Sequence, residues 1–196
     1  MDFEHWRHYA RGWLLHFFGR DDAAFDAYAE AFRLRPDDVQ AARHLGFIAA
    51  RQAHLQVAEK WLHDATRLAP DDADSHFNLG FVREKLGNSR MAIESFAAAV
   101  RLNPKLDRAW YGMGLAHASL GEHAEAATAF NEAAALQPLH GEALYQLGMA
   151  RQHAGDSDGV EAIVLRLARF DSPRARKLID DAERADLLHL LDRLSP

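Results

Sequence analysis

The sequence predicts an all-α solenoid, a stack of helix-turn-helix units, and three observations support this fold class. First, proline, glycine and alanine each recur at one fixed interval of about 34 residues, a length that is typical of repeat architectures. Second, Ala, Leu, Arg, Glu and Asp dominate while runs of Val, Ile and Thr are nearly absent, which favours helices over strands. Third, a hydrophobic content of 48% and a charged content of 27% are typical of a globular chain.

The period is visible in parallel series of residues, and the glycine series alone indicates five units. Bulky residues recur between two series of alanines, so each unit repeats the same order of small and large side chains. The series are Pro36, Pro70, Pro104 and Pro138; Gly12, Gly46, Gly80, Gly114 and Gly148; Ala24, Ala58, Ala92 and Ala126; Ala31, Ala65, Ala99 and Ala133; and Tyr28, Leu62, Phe96, Phe130 and Val164.

Each unit reads as two amphipathic helices joined by a turn and closed by a proline. A turn glycine such as Gly87 supplies the left-handed conformation that stops the first helix, although the second unit has no glycine at residues 52–54. The helical Gly and Ala positions mark close helix contacts, where larger side chains would overpack the interface. The acidic pairs at 37–38 and 71–72 are predicted to cap the next helix.

A further helical segment is predicted after the fifth unit. We expect residues 175–196 to form a carboxy-terminal capping helix, because a solenoid leaves a hydrophobic end face that a terminal helix covers. The apolar residues at helical spacing are Ala175, Leu178, Ile179, Ala182, Leu187, Leu188, Leu190, Leu191 and Leu194.

These series resemble the tetratricopeptide repeat family, and the resemblance covers residues 5–174 without insertions. Unit one departs from the family pattern at His8 and Arg11, and unit five departs from it at Val160 and Pro173. Residues that match the family in addition to the periodic series are Leu45, Leu79, Leu147, Trp110 and Met113.

The resemblance implies a right-handed α-solenoid in which the first helix of each unit lines the inner face. The implied units are 5–38, 39–72, 73–106, 107–140 and 141–174. Positions 5 and 9 of each unit then point inward and share a helix face. Position 5 supplies Tyr9, Arg43, Phe77, Tyr111 and Tyr145, and position 9 supplies Trp13, Phe47, Phe81, Leu115 and Met149.

The aromatic rows indicate a ring-lined groove for another protein, because large exposed apolar surfaces generally mark interaction sites. The alternative is that neighbouring first helices bury some of these rings. The predicted partner-binding residues are Tyr9, Trp13, Arg43, Phe47, Phe77, Asn78, Phe81, Lys85, Arg108, Tyr111 and Tyr145.

Arg43, Asn78 and Arg108 also resemble three of the five elements of the clamp with which some tetratricopeptide proteins grip a chaperone's carboxyl terminus. Phe47 and Gly112 depart from the other two elements, which argues against that activity.

Composition and motifs disfavour other classes of function. The net charge of −6 and the lack of a basic stripe argue against nucleic-acid binding. The chain contains no cysteine, and neither a metal-binding motif nor a nucleophile–base set is visible, so we expect no metal, no cofactor and no catalysis. No stretch approaches the ~20 apolar residues that span a bilayer, so a cytoplasmic location is expected.

Two functions fit this reading. The first is a non-catalytic scaffold or adaptor that binds a peptide or helix of a partner protein in the groove. The alternative is a holding chaperone similar to the small acidic tetratricopeptide chaperones of bacterial secretion systems. Self-association as a homodimer is also open, through Trp6, Trp13, Phe17 and the leucines of 187–194.

Overall fold

A computed structural model describes residues 3–192, and the regular secondary structure of these residues is helical. The chain divides into two compact units between Asn103 and Pro104. The amino-terminal unit contains α1 (Phe3–Phe17), α2 (Asp21–Leu34), α3 (Val39–Arg51), α4 (Leu55–Leu68), α5 (Ala73–Lys85) and α6 (Ser89–Leu102). The carboxy-terminal unit contains α7 (Asp107–Ser119), α8 (His123–Leu136), α9 (Gly141–His153), α10 (Ser157–Ala168), α11 (Ser172–Asp181), a 3-10 helix (Ala185–Leu187) and α12 (His189–Asp192).

The helix boundaries keep the period of the sequence. The first helices α3, α5, α7 and α9 begin at Val39, Ala73, Asp107 and Gly141, and the second helices α2, α4, α6, α8 and α10 begin at Asp21, Leu55, Ser89, His123 and Ser157. Consecutive helices in each unit pack as antiparallel hairpins, with α1 on α2, α3 on α4 and α5 on α6 in the amino-terminal unit. The predicted all-α fold of repeated helix-turn-helix units is confirmed.

Each hairpin of the amino-terminal unit closes where a glycine of the first helix meets a bulky side chain of the second. A Cβ atom on Gly12 would lie 2.9 Å from Tyr28, and one on Gly80 would lie 2.8 Å from Phe96. Both rings are fully buried. The recurring glycines are therefore explained by close helix packing, as the sequence predicts.

The turn that lacks a glycine is formed by a residue in a conformation that glycine prefers. Ala53 has φ +60°, whereas glycines such as Gly19 and Gly87 hold the equivalent turns at φ +71° and +78°. His54 N donates to Ala49 O over 2.9 Å and closes the turn. A non-glycine residue in this region carries a steric cost from its Cβ atom.

We expect Ala53→Gly to raise the free energy of unfolding by up to about 1 kcal/mol, because glycine adopts the left-handed conformation without that steric cost. Urea unfolding measures the change. Ala97→Gly, on the exposed side of α6, is the control and should lower the free energy of unfolding by about 1 kcal/mol. Equal destabilisation by both substitutions would contradict the turn geometry.

The acidic pairs between hairpins cap the following helices through their second aspartate. Asp38 Oδ1 accepts hydrogen bonds from the backbone amides of Gln40 and Ala41, each over 3.0 Å. Asp72 Oδ1 accepts one from the amide of Asp74 over 3.3 Å. The predicted capping role is confirmed for Asp38 and Asp72, whose charge also favours the positive end of the helix.

The last hairpin departs from the pattern expected for its bulky position. Val164 is the counterpart of Phe96 and Phe130 in the bulky series, but a Cβ atom on Gly148 would lie 2.5 Å from Leu178 Cδ2. Helix α11 supplies the side chain nearest to this glycine, and Val164 is buried in the same core. Leucine is larger than valine and reaches the glycine from the neighbouring helix.

The segment expected to be one capping helix is broken. Helix α11 ends at Asp181, Glu183 takes φ +55°, and a 3-10 helix and α12 follow. In a straight helix Leu187 would lie on the face opposite to Leu178. The break lets both leucines enter one core, where they are 2% and 0% exposed. Leu194 lies outside the described residues.

Candidate functional site

Three rings are exposed along one face of the amino-terminal unit. Trp13 on α1, Phe47 on α3 and Phe81 on α5 occupy the same position of successive repeats and are 54%, 47% and 45% exposed. We name the surface around them the first-helix face. Apolar rings gain free energy when a partner removes them from water, so a row of half-exposed rings is suited to binding.

Cations lie one helical turn after two of these rings. Arg51 Cζ lies 6.0 Å from the centroid of the Phe47 ring, and Lys85 Nζ lies 5.6 Å from that of Phe81. Such placements are weakly attractive at exposed sites. On α1 the same position carries Phe17, which stacks on Trp13 with centroids 5.8 Å apart. The face is therefore apolar at α1 and cationic at its α3 and α5 edge.

Arg51 is also held by an aspartate of α2. Its Nε donates to Asp21 Oδ2 over 2.7 Å, and this hydrogen bond is the main reason why the pKa of Asp21 is lowered. The ion pair connects the first and second hairpins at the exposed edge of the face. Because Arg51 is exposed, the main effect of the ion pair is to position the guanidinium group near Phe47.

The rings of the position-5 row are more deeply set than those of the position-9 row. Tyr9 packs edge-on against Tyr28 at 5.4 Å, and Phe77 tilts against Phe96 at 6.0 Å. Both are half-buried. The pKa of Tyr9 is raised, mainly by burial and secondly by the charge of Asp38. These two rings are therefore partly buried by the second helix of their own hairpin, which differs from burial between neighbouring first helices.

A pocket of about 220 Å³ opens between the first helices of the amino-terminal unit. It combines three predicted residues with two histidines that sequence reasoning missed. The lining residues are His16, Arg43, His44, Phe47 and Asn78.

Arg43 reaches this pocket as half of an ion pair. Its Nη1 donates to Asp72 Oδ2 over 3.0 Å, and the same oxygen accepts a hydrogen bond from Ser75 Oγ over 2.6 Å. The capping aspartate of α5 therefore holds the guanidinium in place. A ligand carboxylate at Arg43 would have to share it with Asp72, so the pocket is less electropositive than the sequence indicates.

His44 forms one wall of the pocket by stacking on the buried Tyr28. The rings are 4.6 Å apart at an angle of 8°, and burial, followed by the charges of His16 and Arg43, lowers the pKa of His44 to about 4. The imidazole is therefore neutral at pH 7. A signal was present in the sequence, because His44 lies three residues before Phe47 and shares its helix face.

His16 joins α1 to α3 across the same face. Its ring meets Phe47 edge-on at 5.7 Å and lies 6.2 Å from His44. Its Nδ1 is 3.3 Å from Asp21 Oδ1. The pocket wall is thus assembled from several hairpins, and no single repeat contains enough of it to be recognised in the sequence.

In the carboxy-terminal unit the two predicted tyrosines contact other side chains of their own unit, and the predicted arginine is exposed. Tyr111 packs against Phe130 and His140, each at 5.6 Å. Tyr145 donates its hydroxyl to Asp181 Oδ2 over 2.6 Å, and Lys177 Nζ lies 4.7 Å from its ring. Burial, with Asp181 as the second cause, raises the pKa of Tyr145 to about 12. Helix α11 therefore covers part of Tyr145, while Arg108 is exposed on α7.

Residues 3–192 show neither a metal site nor a membrane span. No group of three or more His, Cys, Asp or Glu side chains is arranged to hold a metal ion in this part of the chain. Over the same residues, no helix has the length and apolar character needed to cross a membrane.

Comparison with known proteins identifies the repeat. A family model described as Tetratricopeptide repeat matches residues 77–139, whereas no curated protein sequence matches the chain. Among solved structures, the MamA protein is 21% identical with a TM-score of 0.80, covering 95% of this chain and 97% of its own. MamA from Desulfovibrio magneticus RS-1 is 18% identical with a TM-score of 0.78, covering 92% and 98%.

A third solved structure is YrrB, a TPR protein with an unusual peptide-binding site. It is 20% identical with a TM-score of 0.73, covering 95% of this chain and 90% of its own. At these identities the similarity establishes the fold. The predicted resemblance is confirmed: residues 77–139 are tetratricopeptide repeats, and the fold of this chain is that of tetratricopeptide repeat proteins.

Proposed function

We propose that this chain is a non-catalytic scaffold or adaptor whose first-helix face binds an extended or helical segment of another protein. The observation that carries the proposal is the row of half-exposed rings Trp13, Phe47 and Phe81, beside the pocket that contains Arg43 and Asn78. The similarity in fold to YrrB, a protein with a peptide-binding site, supports this class of function.

The free energy available from the rings fits reversible binding. Full burial of an aromatic side chain contributes about 1.5–3 kcal/mol, and rings that are already half-buried offer about half of that amount. Three such rings supply about 2–4.5 kcal/mol, so a micromolar complex, at about 8 kcal/mol, also needs polar and backbone contacts with the partner.

The amino-terminal unit carries most of the proposed binding. Its rings at position 9 are exposed, whereas Leu115 and Met149 at the same position of α7 and α9 are half-buried against the core. Tyr111, Tyr145 and Arg108 would contribute less, because the two tyrosines are already packed against side chains of their own unit.

We expect Phe47→Ala combined with Phe81→Ala to weaken partner binding by about 10- to 50-fold, because each substitution removes about 1 kcal/mol of apolar burial. Capture from native lysate with identification by mass spectrometry supplies the partner, and calorimetry with the purified partner supplies the affinity. Phe77 is left unchanged because it packs on the buried Phe96.

The matched control replaces exposed apolar residues on the second helices of the same unit. Val57→Ala and Met91→Ala remove side chains that are 43% and 41% exposed and should leave affinity unchanged. Equal loss of binding in both double variants would refute the proposed face. A folded stoichiometric partner supports the adaptor, whereas a partner held unfolded supports the holding-chaperone alternative.

A further inference from the structure

Helix α1 carries an apolar stripe, and the proposed function uses only one residue of it, Trp13, at the edge of the stripe. The stripe covers an arc about 100° wide, the width of a helix face that normally packs against other protein. Its large side chains are between 50% and 75% exposed, and Ala10 between them is exposed too. The stripe consists of Phe3, Trp6, Ala10, Trp13, Leu14 and Phe17.

Three residues of the stripe are apolar only in α1, whereas Trp13 and Leu14 have the apolar counterparts Phe47 and Ile48 in α3. The apolar residues Trp6, Ala10 and Phe17 have polar counterparts in the next two repeats, on helices that occupy the same place in the hairpin. These counterparts are Gln40, His44 and Arg51 on α3, and Asp74, Asn78 and Lys85 on α5. The repeat therefore does not require apolar residues here, and the stripe needs a separate explanation.

We propose that a second copy of this chain covers the stripe, with the two α1 helices packed antiparallel about a twofold axis at Ala10. Apart from Trp13, the positions of the stripe are the same read from either end of the helix. About this axis Phe3 faces Phe17 of the second copy and Trp6 faces Leu14. The smallest residue of the stripe then lies at the crossing point, where helix axes approach to about 8 Å.

The residues beside the stripe fit the same symmetry. Arg7, which pairs with Glu4 within α1, lies as far before Ala10 as Trp13 lies after it. At about 100° per residue Arg7 and Trp13 lie about 60° to either side of Ala10, so the twofold places both Arg7 side chains along one edge of the interface and both Trp13 rings along the other. Because each Arg7 is neutralised by Glu4 of its own helix, the charged edge does not oppose the pairing of the two stripes.

The area of the stripe is sufficient for a specific dimer. An aromatic side chain has about 150–250 Å² to bury, so four aromatic residues and one leucine, each 50–75% exposed, offer on the order of 600–700 Å² per copy. Two copies would bury on the order of 1,200–1,400 Å², which lies within the range of specific interfaces. An interface of this symmetry closes after two copies and leaves no stripe exposed.

Sedimentation velocity over a concentration range of about 1 to 100 µM tests the dimer. We expect a species of twice the 22.0 kDa mass of one chain. Trp6→Glu combined with Phe17→Glu should raise the dimer dissociation constant by at least about 100-fold, because each copy then buries two carboxylates. Val57→Glu combined with Leu139→Glu places the same charges at exposed apolar sites outside α1 and should leave it unchanged.

A second measurement tests the axis itself and does not depend on destabilising variants. The chain has no cysteine, so Ala10→Cys introduces one thiol that the axis places beside its symmetry mate, within the ~4.4–6.8 Å Cα separation of a disulfide. Oxidation with diamide should give a crosslinked dimer. Ala97→Cys, exposed on α6, should remain uncrosslinked under the same conditions.

Three outcomes would overturn the proposal. If the chain stays monomeric at about 100 µM, a second copy does not cover the stripe, and a different protein is its partner. A dimer that survives the Trp6 and Phe17 substitutions uses another surface. Association that is lost with Phe47→Ala and Phe81→Ala instead would mean that α1 docks head-to-tail on the first-helix face of the next copy. Trp13 belongs to both surfaces, but Phe47 and Phe81 lie outside the stripe, so loss of the dimer and loss of partner binding can be distinguished.

Discussion

Replacing Gly80 by valine is expected to lower the free energy of unfolding by about 3 kcal/mol or more. A Cβ atom at this position would lie 2.8 Å from two ring carbons of Phe96. That ring is 1% exposed and is enclosed by its own hairpin, so it has no free space into which it can move. The gain in helix propensity from replacing glycine by valine, roughly a few tenths of a kcal/mol, is too small to compensate.

Urea unfolding followed by circular dichroism measures this loss. Gly155→Ala is the control, because Gly155 has φ +79° and open space around it. That substitution tests backbone strain without overpacking and should cost only about 1–2 kcal/mol. A Gly80→Val variant within about 1 kcal/mol of wild type would show that the contact with Phe96 yields easily.

The same approach identifies the true neighbour of Gly148. Gly148→Val should be partly compensated by Leu178→Ala, because the shortened side chain makes room for the added methyl groups. Val164→Ala should give no compensation, since the side chain nearest to the glycine is that of Leu178. Compensation by Val164→Ala instead would restore the packing that the repeat pattern predicts.

Acidification from about pH 7 to pH 4.5 is expected to destabilise the chain by about 2 kcal/mol through His44 alone, after allowance for solvent screening of a partly exposed ring. The pKa of His44 is about 4 in the folded chain, against an ordinary value of 6.5. Between these two values the unfolded chain binds the proton and the folded chain does not. Stability is therefore complete above about pH 6.5 and is lost as the pH falls toward about 4.

The groups around His44 explain why protonation is unfavourable. The ring lies flat on the buried Tyr28. The charges of His16 and Arg43 disfavour a positive charge on His44, and the negative charge of Asp38 favours it more weakly. His44→Phe keeps the stacked ring and removes the titrating group, so its free energy of unfolding should fall less between the two pH values.

Urea unfolding of both proteins at the two pH values measures the difference. His63→Phe is the control, because His63 is exposed on α4 and should retain the pH dependence of wild type. A His44→Phe variant that loses as much stability as wild type on acidification would exclude His44 as the cause.

The amino-acid order alone was enough to predict the repeat, because in the first four units the contact between the helical glycine and the bulky side chain lies within one hairpin. Gly80 and Phe96 stand on the two helices of the same hairpin and meet when these helices fold back on each other, so the repeat period reveals their contact. The capping role of Asp38 and Asp72 was predictable for the same reason, since each caps the helix that follows it directly.

Exposure of the rings could be seen only after the hairpins had been assembled. Tyr9 and Trp13 lie one helical turn apart and share a helix face, yet the first packs on Tyr28 and the second remains half-exposed. Which of two neighbouring rings stays in water depends on the bulky side chain of the second helix in the same hairpin, as for Tyr9 on Tyr28 and Phe77 on Phe96.

The pocket and the last helices show the same dependence on distant contacts. His44 enters the site because Tyr28, from the preceding hairpin, lies beneath it. Leu178 displaces Val164 at Gly148 because α11 packs against α9, and the break after Asp181 brings Leu187 into the same core. Local helix-forming tendency thus accounts for the hairpins. The surface that a partner meets was decided by the tertiary structure, because residues far apart in the chain compete for the same buried space.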